Sequence, residues 1–336
     1  MRSLFSRQSK VGAAATEESS AGVATIDPDA VMRIKNLQLR ARSIVEGIHN
    51  GLHRSPYHGF SVEFSEYRPY SEGDDTRSID WKLYARSDRY YIKRFEDETN
   101  RRCYLVLDRS RSMGYGSLTY TKIDYARTLA ASLAYYLTLQ RDSVGLLTFD
   151  ESVNDYLPAR HRHGHLHQLM VALARPTQGT GTNLAAPLEQ IASLIRKRGL
   201  VVLISDLLAD NAMLRTNLSY LRSRGHEVLI LRVLDPAERS LPIDQPGMVV
   251  DMESGREIYL DPVQAAADYR KRFDDHAAQL SQVCGELGIE LFEISTDSSL
   301  DGVLLDILNS QQQKSMSSGR RGALSAASMM TGGAGT

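Results

Sequence analysis

The sequence predicts an α/β protein: a mostly parallel sheet with helices on both faces, preceded by an N-terminal α+β segment. Two observations carry this expectation. From Arg102 onward, short unbroken apolar runs alternate with segments of helical period, and strands that are apolar on both faces belong in sheets covered on both sides. Residues 51–100 break that rhythm with dense Arg, Asp, Glu and aromatic residues, which sets them apart as a separate segment.

Taken in order, residues 1–27 are rich in Ser, Ala, Gly and Glu without period, and are expected to be a disordered tail because they have little apolar surface to offset ordering entropy. Asp27-Pro28-Asp29 reads as a helix start. Val31, Ile34, Leu37, Leu39, Ala41, Ile44, Val45 and Ile48 then recur at mixed three- and four-residue steps, which predicts one amphipathic helix to about His49. Within residues 28–100, strands are expected over 61–68 and 90–95, with a short helix over 79–82. Trp81, the single tryptophan, is expected to pack as core.

The domain proper is expected over 101–309. Strands are predicted at 103–107, 144–149, 153–157, 200–204, 228–234 and 289–294. Helices are predicted at 122–139, 164–174, 184–197, 210–224, 262–285 and 299–309. Residues 310–336 are again low in complexity and expected to be disordered.

Composition narrows the function classes. Acidic and basic residues nearly cancel, to a formal charge of -1 over 336 residues, so no chain-wide field recruits nucleic acid. The runs Arg101-Arg102 and Arg196-Lys197-Arg198 read as solvated strand or helix ends. The two cysteines, Cys103 and Cys284, lie in apolar stretches and read as buried thiols. No apolar run is long enough to span a bilayer and no signal peptide is evident, so the expected location is cytoplasmic. His161, His163, His165 and His167 alternate, but Gly164 interrupts them, and a solvated loop is expected there.

Ligand sites in parallel sheets lie beyond the carboxyl ends of strands. The first regular strand ends in Asp108-Arg109-Ser110-Arg111-Ser112-Met113. Thr182 follows in a Gly-Thr-Gly-Thr-Asn segment before a helix, and Asp206 ends the run Leu200–Ile204. These oxygen donors suit a hard cation: Mg²⁺ first, with Mn²⁺ or Ca²⁺ as alternatives. Neutral hydroxyls fill coordination positions without adding charge, so an ion held by one direct carboxylate keeps positive charge for an acidic group of another molecule. The bland alternative is that Asp108 only caps the turn after it. The glycine segment lacks the Lys-Ser/Thr of a phosphate loop, and Ser110 cannot serve as the general acid of an aspartyl-phosphate phosphatase.

The segments DRSRSM, GTGTNL and LISDLL, in that order, resemble the metal-ion-dependent adhesion site of von Willebrand factor type A domains. The resemblance implies a metal held by Asp108, Ser110, Ser112, Thr182 and Asp206, the last acting through water. Upstream, His58-Gly59, Glu63-Phe64, Glu66-Tyr67-Arg68-Pro69-Tyr70, Gly73-Asp74, Arg77-Ser78-Ile79-Asp80-Trp81 and Ala85-Arg86 resemble the signature of family 58 of the domains of unknown function, in which such a block precedes a type A-like domain. That resemblance implies a cytoplasmic, non-enzymatic accessory protein working with a MoxR-type AAA+ ATPase or its client. One departure stands out. Arg111 occupies the position between the two serines where type A domains often carry Gly, and Arg109 is adjacent. Two cations there work against metal binding and for capture of an acidic group. A metal-dependent phosphoesterase and a scaffold with a vestigial metal site are the alternative functions.

Overall fold

The computed structural model describes residues 26–52, 66–71, 81–87, 89–94, 101–176, 185–240, 247–250, 257–260, 262–311 and 313–314. Of the tails expected over 1–27 and 310–336, residues 1–25 and 315–336 lie outside them. At its centre is a six-stranded sheet of β3 (Arg102–Asp108), β4 (Ser143–Phe149), β5 (Val153–Arg160), β6 (Leu200–Ser205), β7 (Glu227–Leu234) and β10 (Glu290–Ser295). Its spatial order is β10-β7-β6-β3-β4-β5. All neighbours run parallel except β5, which pairs antiparallel with β4 at one edge. The strand order reverses direction at β3, so the loops after β3 and β6 lie side by side at the carboxyl edge. This is the α/β, type A-like architecture that the sequence predicts.

Alternation along β3 divides the core in two. Cys103, Leu105 and Leu107 face one layer; Tyr104 and Val106 face the other. The first layer holds α4 (Lys122–Leu139), α5 (His165–Leu173) and a helix over 300–311. The second holds α6 (Ala185–Leu194), α7 (Asn211–Ser223) and α9 (Pro262–Leu287). Both cysteines are buried and free.

Several elements differ from expectation. The single N-terminal helix is two, α1 (Pro28–Met32) and α2 (Leu37–Leu52). The break is held by Arg40, whose guanidinium donates to the carbonyls of Met32 and Ile34 and to the Thr128 hydroxyl of α4. Asn36 then accepts from the Leu39 amide at 3.0 Å, starting α2 afresh. The terminal helix runs past 310, and Lys314 pairs with Glu290 at 2.8 Å, so the first residues assigned to the C-terminal tail belong to the folded body. Trp81 is 60% exposed rather than core. It opens α3 (Trp81–Ser87) and meets Tyr84 edge-on, while Tyr84 stacks on Tyr90. Beside α3 lies a two-stranded ribbon of β1 (Glu66–Pro69) and β2 (Tyr91–Arg94).

The periodicity also leaves out α8 (Pro236–Ser240) and the hairpin of β8 (Gly247–Val250) and β9 (Glu257–Leu260). Of the histidine tract, His161, His163 and His167 are exposed, and His165 is buried against the Val144 carbonyl at 2.8 Å. Among the described residues, no helix is long and apolar enough to cross a membrane.

Candidate metal centre

The carboxyl edge of β3 is built by local hydrogen bonding. Asp108 ends the strand, and its Oδ1 accepts the Ser110 amide at 2.8 Å. That bond folds the chain back, and the next residues form a short 3₁₀ turn, Ser112–Gly114. The Ser110 and Ser112 hydroxyls consequently lie 3.1 Å apart. Gly116 is required after the turn, because a Cβ there would collide with the backbone of Tyr120 and Thr121. Thr121 and Asp124 then form a capping box that starts α4.

β6 supplies the second wall. The Ser205 hydroxyl donates to Asp108 Oδ2 at 2.6 Å and accepts the Leu207 amide at 3.0 Å. Leu207 is held in the left-handed region at φ 51°, a conformation costly for a side chain with a Cβ. Its fully buried side chain packs in the α6–α7 layer, and this packing keeps the turn that presents Asp206. From β7, the buried Arg232 guanidinium donates to the Asp206 carbonyl at 3.1 Å and pairs with Glu293 at 2.8 Å.

The electrostatics are unusual for an interior. Asp108, Ser110, Asp206 and Lys122 are all fully buried. Lys122 Nζ lies 2.7 Å from Asp206 and 2.5 Å from Glu238 of α8. Burial acts to lower the Lys122 pKa, but Asp206 and Glu238 outweigh it and hold the ammonium charged. Asp108 has no such partner. Burial first, then the nearby Asp206, pushes its carboxyl up to about 7, against the hydrogen bonds from Ser205 and Ser110. Lys122 is thus shared by Asp206 and Glu238, Asp108 has no cation partner among the described residues, and the three carboxylates with one ammonium sum to two negative charges when all are ionised.

The structure brings Asp108, Ser110, Ser112 and Asp206 to one edge of the sheet; Thr182 lies outside the described residues. Among the described residues, no group of three or more His, Cys, Asp or Glu side chains could hold a metal. The donor set here is instead two carboxylates completed by hydroxyls, and the missing positive charge fits a divalent cation.

Arg109 does not crowd this place, contrary to what its sequence position suggests. It is buried and points toward β5, pairing with Asp155 at 3.4 Å and donating to the carbonyls of Arg175 and Pro176. It thereby fixes the backbone of Arg175 and Pro176 after α5. Arg111 is exposed. Sequence reasoning missed Lys122, Glu238 and Asp235. Asp235 accepts the Ser117 amide at 2.8 Å and hydroxyl at 2.5 Å, tying the loop before α4 to the end of β7. A cation in the first turn of α4, where the helix dipole favours anions, was the available signal for Lys122. Nothing in the local pattern marks the other two.

An uncharacterised protein of Mycobacterium tuberculosis is 29% identical over 303 residues, covering 89% of this chain and 92% of its own. An uncharacterised protein of Mycobacterium avium is 30% identical over 140 residues, covering 41% of this chain and 81% of its own. Two solved structures are distantly similar. An aerotolerance-related membrane protein from Bacteroides fragilis has 17% identity and a TM-score of 0.43, over 62% of this chain and 98% of that one. The BatB protein from Bacteroides thetaiotaomicron has 15% identity and a TM-score of 0.40, over 63% and 98%. Residues 66–283 match the family described as "Protein of unknown function DUF58". That span takes in the ribbon of β1 and β2 and the loops after β3 and β6, and the chain belongs to this family.

Proposed function

We propose that the protein is a non-enzymatic binding factor that captures an acidic group of a partner at a divalent ion held by Asp108, Ser110, Ser112, Thr182 and Asp206. The observation that supports this reading best is the buried cluster in which Asp108 faces Asp206 without a cation of its own. When bound, the ion supplies an open coordination position for a partner carboxylate.

The chain's own residues do the rest. Ser205 and the Ser110 amide fix the Asp108 carboxylate. Lys122 and the Arg232 guanidinium fix Asp206 at its side chain and its backbone. Arg111 is exposed beside the serines and favours an acidic visitor by charge. Binding is favoured over hydrolysis because Asp206 and Glu238 are both engaged by Lys122, which leaves neither free to take a proton from water.

The partner proposed is a MoxR-type AAA+ ATPase or its client, as the family resemblance implies. The test is capture of such a purified ATPase in Mg²⁺ and in chelator, by the wild-type chain and by Asp108→Ala. The reading expects capture only by the wild type with Mg²⁺. Capture that survives both chelator and Asp108→Ala, but is lost on replacing Arg68 or Arg77, would favour the scaffold instead.

A further inference from the structure

A second concave surface lies at the opposite end of the sheet, about 20 Å along β3 from Asp108 at the usual rise per residue. There a cleft of about 690 Å³ opens between β5, the amino ends of β3 and β4, and the last turn of α6. Arg102, Arg160, Arg196 and Lys197 line it, together with Tyr104 and Tyr156, and among the described residues no acidic side chain does. The four cations come from three separate stretches of chain that the fold brings together.

These cations differ from the others that border the interior. Arg109, Lys122 and Arg232 are each paired with a carboxylate. None of the four side chains makes a hydrogen bond or ion pair with another described residue. In a chain with a formal charge of -1, such a grouping is not a reflection of overall composition. Like charges around a concave, partly apolar wall repel one another and focus a positive potential into the space between them. An anion held in that space relieves the repulsion. Guanidinium groups match phosphate oxygens in geometry as well as charge.

The tyrosines narrow the chemistry. Tyr104 is buried and Tyr156 is 39% exposed, so the cleft has an aromatic wall as well as a charged rim. The Tyr156 hydroxyl donates to the Leu194 carbonyl at 3.4 Å, joining the two sides. The volume falls in the range of small-molecule sites. We propose that this cleft binds a small phosphate-bearing ligand with an aromatic ring, in chemical class a nucleotide. The described lining shares no residue with the loops after β3 and β6, and the proposal carries no implied hydrolysis.

The test uses the full chain in chelator, so that the metal loops contribute nothing. ADP, pyrophosphate and adenosine are titrated by calorimetry, each variant having first been checked for an unchanged thermal transition. ADP is expected to bind more tightly than either fragment. Replacing both Arg160 and Lys197 with Gln should weaken ADP by about tenfold, as two exposed charge contacts would, and replacing both with Glu should abolish binding. Tyr156→Ala should bring ADP down toward pyrophosphate. No binding of ADP at millimolar concentration, or equal affinity in the Glu variant, would overturn the proposal. So would tighter binding of an acidic peptide or of anionic lipid vesicles than of ADP.

Discussion

At the scale of single residues, the charge balance of the metal edge rests on Lys122. Its ammonium is fully buried and is the cation shared by Asp206 and Glu238. Removing one member of a buried, hydrogen-bonded ion cluster leaves the others charged and unpaired, which costs about 3–5 kcal/mol. Lys122→Met keeps most of the volume and removes the charge, so it should destabilise the metal-free chain by about that amount in urea unfolding. Because a divalent ion can replace part of the lost charge, Mg²⁺ should restore more stability to Lys122→Met than to the wild type. A variant as stable as the wild type in chelator would mean that Asp206 and Glu238 do not depend on this ammonium. Arg109 makes a related point about legibility. Its position between Asp108 and Ser110 places it by sequence at the metal, but its long side chain reaches Asp155 and the loop after α5. Sequence spacing locates a Cα, whereas the endpoint of an arginine is decided by which partner the fold places within reach.

At the scale of elements, the strands were legible because a parallel strand buried on both faces is one apolar run, as in Leu105-Val106-Leu107 or Val201-Val202-Leu203-Ile204. α4 was legible to its ends, since Thr121 and Asp124 announce its start. Its environment was not. The pattern suggests one apolar side, with Ile123, Ala126, Leu129, Leu133, Ala134 and Leu137, but Ala130 and Ala131 are fully buried as well. The reason is α2, whose Ala41, Ile44 and Val45 join the same core and cover α4 from outside. The small alanines allow the two helices to approach closely. α8 and the hairpin of β8 and β9 were not legible, because a five-residue helix and four-residue strands hold too few residues to show a period. The dependence on α2 is testable. Ile44 is fully buried, so Ile44→Ala should cost about 2–5 kcal/mol. Leu39→Ala, on the exposed side of the same helix, should cost less than about 0.5 kcal/mol. The comparison is made from denaturant midpoints at constant m. Equal effects would show that α2, which precedes the span shared with the family, is not part of the cooperative fold.

At the scale of the whole molecule, charge is sorted along the sheet: carboxylates gather at the carboxyl edge with Asp108 and Asp206, and unpaired cations line the cleft at the other. The consequence for stability can be derived from Asp108. Its carboxyl stands at about 7 in the folded chain against an ordinary 3.8, through burial and Asp206. A folded pKa above the unfolded one means the native state holds the proton more tightly. In chelator, stability should therefore be greatest in mild acid and fall as pH rises from about 4 through about 7. A divalent ion binds the ionised carboxylate and reverses the sign of that dependence, because it gains affinity as the proton leaves. For a dissociation constant of about 10 µM, 1 mM metal adds about 2.7 kcal/mol, which in a chain of this size raises the melting temperature by about 4 °C. The gain from Mg²⁺ over chelator should thus be large at pH 8 and small at pH 5.5. Asp108→Asn should flatten both effects together, since it removes the titrating group and the charged ligand in one change. If the wild-type melting temperature at pH 8 is the same with Mg²⁺, with Mn²⁺ and in chelator, the buried carboxylates carry their charge without an ion, and the adhesion reading of this edge fails with it.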